Sequence, residues 1–372
     1  MKYTIQSEWS LAGAAVLLTL LLSLLAGPAI AQSGGPYQLT KSVIGGGGGR
    51  ATGGTYALQG TNGEAIAGTR SNAGTFDLLS GFHSSAAFFA HGPLVVCDFD
   101  GDSKTDLSVF RTGTWFIQRS NAGLLTRAFG LASDKLVPGD FDGDGKADIA
   151  VFRENPDPSM NFWYVLKSSN GTLQIQEWGQ QFDVPTLGDY DGDGKTDFAA
   201  FRPGTSEWWI LRSSDGVPTG QSWGATGDVP VVGDWDGDNK DDLAVFRPSN
   251  ATWFVRRSTN GTLLAQQFGA NGDKLVPGDY NGDGTTDFAV YRPSTNTWFT
   301  SLNPATNYGA TVWGTSGDVV VPGDYDGDTK TDLAVFRPTT GTWHIRRSSD
   351  ASTSATAFGA SGDLPVPSVF VP

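Results

Sequence analysis

From about residue 93 onwards, short apolar runs alternate with polar, glycine-rich turns, and they do so periodically. Between 229 and 268 the apolar positions fall into four runs: Val229 to Gly233, Leu243 to Phe246, Thr252 to Arg257 and Leu263 to Phe268. Runs this short, separated by turn sequences such as Pro248-Ser249-Asn250 and Asn260-Gly261, predict β-strands joined by tight turns. No long amphipathic helical pattern interrupts them. The four-run unit recurs six times, with intervals of 42, 49, 45, 45 and 45 residues between equivalent positions. Four short antiparallel strands per repeat are the content of a propeller blade, and a unit of that size cannot bury its core alone.

Large side chains recur in the same register. Trp115, Trp163, Trp208, Trp253, Trp298 and Trp343 occupy the third run of each unit, and Phe129, Trp178, Trp223, Phe268, Trp313 and Phe358 precede a glycine at the end of the fourth. A ring of sugar-stacking platforms is one reading; packing between blades is the favoured one, because every repeat must cover its neighbour with something large. Asp134, Asp183, Asp228, Asp273, Asp318 and Asp363 lie just before the first run, while Arg111, Arg153, Arg202, Arg247, Arg292 and Arg337 close the second. These spacings predict turns and ion pairs repeated in each blade.

The termini do not follow the unit. Residues 32–92 contain the glycine run Gly45 to Gly49 and two related segments beginning at Gly54 and Gly74, while Leu364 to Val371 repeats a first strand with no loop after it. Pairing that last strand with the N-terminal segment would close the ring without exposed sheet edges. The fold expected is therefore all-β: a β-propeller with six calcium-loop blades and a composite seventh blade closed by the N- and C-terminal segments, with six blades and stray termini as the alternative.

Composition adds the chemistry. Between the first two runs of every unit stands the pattern Asp-x-Asp/Asn-Gly-Asp-x-x-x-Asp. Its candidate ligands are Asp98, Asp100, Asp102 and Asp106; Asp140, Asp142, Asp144 and Asp148; Asp189, Asp191, Asp193 and Asp197; Asp234, Asp236, Asp238 and Asp242; Asp279, Asn281, Asp283 and Asp287; and Asp324, Asp326, Asp328 and Asp332. Oxygen donors at positions 1, 3, 5 and 9 of a tight loop suit a hard cation, Ca²⁺ before Mg²⁺, at about six sites. Position 12 of the first loop is Val109 and strands flank the loop, so it is not an EF-hand. The ligand positions of these loops hold 23 of the 39 acidic residues; six Ca²⁺ ions would bring the formal charge from −14 to −2. The acidity thus points to metal, and no basic stripe suggests nucleic acid. Asn281 still offers an oxygen, so its site is expected to be weakened without being lost.

Segments such as FGANGDKLVPGDYNGDGTTDFAVYRP resemble the FG-GAP or VCBS repeats of secreted bacterial proteins, which are similar to the propeller repeats at the N-terminus of integrin α chains. The resemblance covers about residues 93–372. It implies a propeller whose loops bind calcium between the first two strands of each blade. Cys97, where the other loops have Gly, and an insertion around Glu154 to Met160 are its departures.

The first 31 residues read as a signal peptide: Lys2, an apolar run from Leu11 to Ala26, and the small-residue site Ala29-Ile30-Ala31. No second span follows, so the mature chain is expected outside the cytoplasm, secreted, periplasmic or at the cell surface. Cys97 is the single cysteine, which excludes an intramolecular disulfide. His83, His91 and His344 are scattered and no nucleophile motif occurs, so the expectation is not an enzyme. The expected function is a non-catalytic adhesion or ligand-binding module whose partner is an extracellular protein or glycan. A calcium-dependent polysaccharide-degrading enzyme and a purely structural surface protein are the alternatives. Recognition is expected where the repeat fails: Glu154 to Met160, Trp209, Trp235 and Ser301 to Tyr308, although Trp235 stands at position 2 of its loop where the others carry Phe or Tyr, so packing is its default reading.

Overall fold

The computed structural model describes residues 96–370 except 158 and 304–306, together with strand segments at 33–34, 37–38, 49–53 and 56–60. The expected signal peptide, His83 and His91 lie outside the described residues. The chain divides into units 1–88 and 89–372. In the first, Ser33–Gly34 pairs with Tyr37–Gln38, and Gly49–Gly53 with Tyr56–Gly60. The second unit is six four-stranded antiparallel sheets, each one blade.

Blade 4 shows the plan, with Val229–Val231, Leu243–Arg247, Thr252–Arg256 and Leu263–Gln267 paired in that order. Burial decreases from the second strand outward. Phe198 to Phe201 in blade 3 are buried at four successive positions, the third strand there alternates, and the fourth is largely exposed. A continuous apolar run is what a strand covered on both faces requires, and alternation is what a half-covered one requires.

The expected seventh blade is not formed among the described residues. Leu364–Pro365 instead pairs with Leu107–Arg111 and supplies the first strand of the blade completed by Thr114–Arg119 and Gly123–Ala128. A charged clamp explains why. In five blades an Arg ending the second strand binds, through Nε and Nη2, the Asp preceding the first strand 19 residues earlier, as Arg153 binds Asp134 at 2.8 and 2.7 Å. Arg111 finds the same partner 252 residues away in Asp363. The ends of the array thus substitute for each other within one blade, and none is left over.

The two aromatic registers are packing. All six third-strand tryptophans are fully buried, and each donates its indole N–H to the carbonyl of the residue ending the fourth strand, as Trp163 does to Trp178 at 3.1 Å. Trp178, Trp223 and Trp313 reach the next blade, donating to the carbonyls of Trp209, Phe254 and His344. A buried indole needs such a partner, and here the partner is also the blade-to-blade joint.

A second joint runs through the acidic loops. The backbone N–H at position 8 of each loop donates to the carbonyl of the first Asp of the preceding loop: Ala147 to Asp98, Thr196 to Asp140, Asp241 to Asp189, Thr286 to Asp234, Thr331 to Asp279, and Thr105 back to Asp324, all at 2.6–2.7 Å. The circuit closes with the blades. The glycine before each loop faces this position of the next blade. A Cβ on Gly139 would lie 2.6 Å from Thr196 Oγ1, and one on Gly323 2.5 Å from Thr105 Oγ1. Where the chain has Cys97 instead, at φ 61°, the facing residue is Ala147, whose side chain is the small one of the six.

Ala147→Thr should therefore destabilise the propeller by about 1–3 kcal/mol through overpacking against Cys97. Cys97→Gly should recover most of that loss, a non-additivity measurable in a double-mutant cycle by chemical denaturation; additive effects would show that the two residues do not share one space.

Candidate functional site

Each acidic loop joins the first strand of a blade to the second, and its carboxylates organise its own backbone. In the first loop, Asp98 Oδ1 accepts from the N–H groups of Asp100, Gly101 and Asp102, at 3.2, 2.7 and 3.3 Å, and Oδ2 from Ser103 at 2.7 Å. Gly101 has φ 79°, which lets the chain wrap about that one side chain. Position 9 ties the loop to the rest of the blade: Asp106 Oδ2 accepts from Phe99 N–H, and Oδ1 from Ser120 N–H in the turn between the third and fourth strands. Asp148, Asp197, Asp242 and Asp332 repeat both contacts.

The predicted ligands do not all converge. Carboxylate oxygens of positions 1, 3 and 9 lie within 4.8 Å of one another in five loops: Asp98, Asp100 and Asp106; Asp140, Asp142 and Asp148; Asp189, Asp191 and Asp197; Asp234, Asp236 and Asp242; Asp324, Asp326 and Asp332. Position 5, which was expected among them, stands outside these triads. Asp102, Asp144, Asp193, Asp238 and Asp328 instead accept from the hydroxyls of Ser120, Ser168, Ser213, Ser258 and Ser348 at 2.6–2.9 Å. The adjacent residue caps position 3, as Ser169 does Asp142 and Ser349 does Asp326 at 2.5 Å. These caps were not anticipated, although the Lys/Arg-Ser-Ser/Thr/Asn triplets that carry them repeat in register in the sequence.

Three carboxylates this close are an unfavourable arrangement by themselves. Position 9 shows the strain most: its pKa is pushed up to about 7 in Asp106 and Asp287 and to about 6 in Asp148, Asp197, Asp242 and Asp332, by burial first and by neighbouring carboxylates against the pull of backbone N–H groups. Burial likewise raises Asp98, Asp140, Asp189, Asp234 and Asp324. One atom in each of three loops, Oδ1 of Asp100, Asp142 and Asp326, is buried with no hydrogen-bond partner. A cluster of hard oxygens with an orphaned lone-pair donor at its centre fits a divalent cation. Positions 1, 3 and 9 would hold it, and its charge would offset the repulsion.

The fifth loop differs in two linked ways. Asn281 Nδ2 donates to Asp287 Oδ1 at 3.2 Å, an internal neutralisation that no other loop has. In its sequence Asn303 stands at the register of the capping serine, and the strand pairing shifts between Ser301 and Asn303. The remaining sequence candidates are mixed. Trp235 is buried against Trp253 and Phe288, which is packing. Trp209 lies under the Arg202 guanidinium at 5.5 Å. His344 takes the corresponding place beside Arg337, and burial followed by that cation lowers its pKa. The Asp–Arg clamps are stronger than exposed pairs, since Asp134, Asp183 and Asp363 have no exposed side-chain surface.

A cleft of about 290 Å³ opens between blades 3 and 4, lined by Thr205, Ser206, Ser222, Trp223, Arg247 and Phe254. Small residues open it. One junction further on, Gln267 stands where Ser222 does, and its Nε2 donates across to the Asn250 carbonyl at 3.1 Å. Among the described residues no helix is long and apolar enough to cross a membrane.

The raised position-9 carboxyls set a pH signature. Their folded pKa exceeds the ordinary 3.8, so without cation they stabilise the fold fully below about pH 4 and lose that contribution as pH rises through 6–7. In EDTA the melting temperature should therefore fall between pH 5 and pH 7.5. Excess Ca²⁺ should abolish the fall and add roughly 1.4 kcal/mol per site at ten times the dissociation constant. Identical melting curves with and without chelator at pH 7.5 would remove the cation from these loops.

Three consecutive stretches, 189–245, 234–290 and 279–335, match the FG-GAP-like repeat family. No curated protein sequence matches the chain. Among solved structures, the chain is similar to a streptogramin B lyase (11% identity, 70% of this chain and 84% of that one, TM-score 0.44). It is also similar to a catalytically inactive virginiamycin B lyase from Staphylococcus aureus with quinupristin (8% identity, 69% and 86%, TM-score 0.42). The V. cholerae biofilm matrix protein Bap1 is similar at 19% identity over 68% of this chain and 43% of that one, with a TM-score of 0.30. Likenesses at this level carry nothing about chemistry. The chain is thus a six-bladed β-propeller that carries FG-GAP-like repeats over 189–335.

Proposed function

We propose that the protein is a secreted, calcium-stabilised propeller that acts as a non-catalytic binding module on an extracellular protein or glycan. The signal-like leader supports export, and extracellular calcium modules with dissociation constants of about 10⁻⁴ to 10⁻³ M suit loops built of a few carboxylates. In this reading the cations are structural. They occupy the end of the blades where first strands turn into second and third into fourth.

One observation carries the binding role. In an antiparallel blade the second-to-third and fourth-to-first turns lie at the opposite end from the acidic loops, and three departures from the repeat fall there on neighbouring blades. They are the insertion of blade 2 (Glu154 to Met160), the turn Gln180 to Asp183, and the cleft between blades 3 and 4. Elsewhere the repeated charged groups are taken up in clamps and caps. The departures at Asn281 and Cys97, at the acidic-loop end, are each answered by a neighbouring residue, Asp287 and Ala147, so the opposite end is the one read as displaying recognition elements, as loops on rigid scaffolds do.

Purified protein in 1 mM Ca²⁺ should bind a subset of an extracellular polysaccharide and glycoprotein panel without releasing new reducing ends. Calcium-dependent release of reducing ends would overturn the non-catalytic reading.

A further inference from the structure

Five of the six fourth-to-first turns, among the described residues, are ordinary for their repeat; one is not. In four of them the residue before the clamp Asp is a glycine with positive φ: Gly227, Gly272, Gly317 and Gly362, at 88–89°. In the first it is Ser133. In the turn between blades 2 and 3 it is Phe182, at φ 70° and with 74% of its surface exposed. A bulky residue in the left-handed region is strained, and an exposed ring gains nothing from burial to offset that.

The surroundings hold the strained turn in place. Asp183 N–H donates to the Gln180 carbonyl at 3.0 Å, Gln180 N–H donates to Asp183 Oδ2 at 2.8 Å, and Arg202 fixes the same carboxylate through two hydrogen bonds. The insertion of blade 2 is anchored to the same turn. Buried Asn161 donates from Nδ2 to the Gln180 carbonyl at 2.5 Å and accepts from Asn155 N–H at 3.1 Å. The displayed aromatic thus stands on a rigid mount beside exposed Gln181, and the insertion tied to that mount carries exposed Asp157 and Ser159.

We infer that Phe182 is a recognition residue that stacks on a sugar ring of a glycan ligand, with Asp157 and Ser159 of the insertion supplying hydrogen bonds to its hydroxyls. The inference rests on the binding role proposed above and narrows its ligand. A pyranose presents an apolar C–H face edged by hydroxyls, which matches one ring accompanied by hydrogen-bonding side chains. A stable protein interface needs on the order of 1,000 Å² with a hydrophobic centre, and a single ring in a polar setting does not provide that centre.

The test uses the full mature chain in Ca²⁺, with an immobilised array of hexose, N-acetylhexosamine and uronic acid oligosaccharides as probe, and Phe182→Gly and Phe182→Trp as variants. Phe182→Gly restores the residue of the repeat. It should melt higher, by roughly 2–4 °C, while losing about tenfold or more in glycan affinity; Phe182→Trp should keep the affinity. A Phe182→Gly protein that binds as tightly as the wild type, or that melts lower, overturns the inference and leaves the binding role standing. Wild-type protein that binds no sugar on the array overturns the inference with the glycan form of that role, and binding of a protein partner alone would do the same.

Discussion

The circuit of backbone hydrogen bonds between successive acidic loops is the constraint on which the rest of the propeller depends. Each blade is a small, strongly exposed sheet that cannot exclude water from its own third-strand tryptophan. It acquires a core when the next blade covers it. The loop-to-loop bonds and the Asp–Arg clamps fix where that neighbour sits, and both sets close across the ends of the chain, through Thr105 to Asp324 and Arg111 to Asp363. A ring closed in this way has no terminal repeat that must be capped separately.

The carbonyl that accepts each of these bonds belongs to the residue whose side chain organises the loop. Asp98, for example, folds its own loop with its carboxylate and receives blade 2 with its backbone. Anything that sets the loop's conformation therefore sets the joint as well. Protonation and cation binding are two ways of relieving the same crowding of carboxylates, and they act on the frame as a whole rather than on one blade. In a chain with one cysteine there is no covalent alternative for that task.

The blades, the loops and the two aromatic registers were legible in the sequence because each is a local pattern repeated six times, so chance agreement in one unit is outvoted by the rest. The position of the last strand was not legible. Leu364–Pro365 reads equally well as the start of a new blade or as the missing part of the first, and Asp363 with Arg111 decides it only once the turn geometry is known. The serine contact of position 5 was not legible for a related reason. Ligand spacing treats a loop as isolated, whereas Asp102 and its equivalents face serines some 18–24 residues further on, and a hydroxyl that distant leaves no mark on loop spacing. Cys97 stood out in the sequence as a departure; its compensation at Ala147 lies one blade away and becomes visible when the blades are placed side by side.

A repeat protein carries its own reference for strain. At Gly227, Gly272, Gly317 and Gly362 the chain shows what the turn requires, and Phe182 shows the same backbone bearing a side chain that it does not require. Cys97 also has positive φ, which the glycines at its register do not, yet it is buried, packed in a core cluster and faces a smaller neighbour, so its departure is absorbed by the fold. Phe182 is exposed and has no such compensation. Of two departures from one repeat, the one that packing explains concerns stability, and the one that packing leaves unexplained is the one to which a recognition role is assigned.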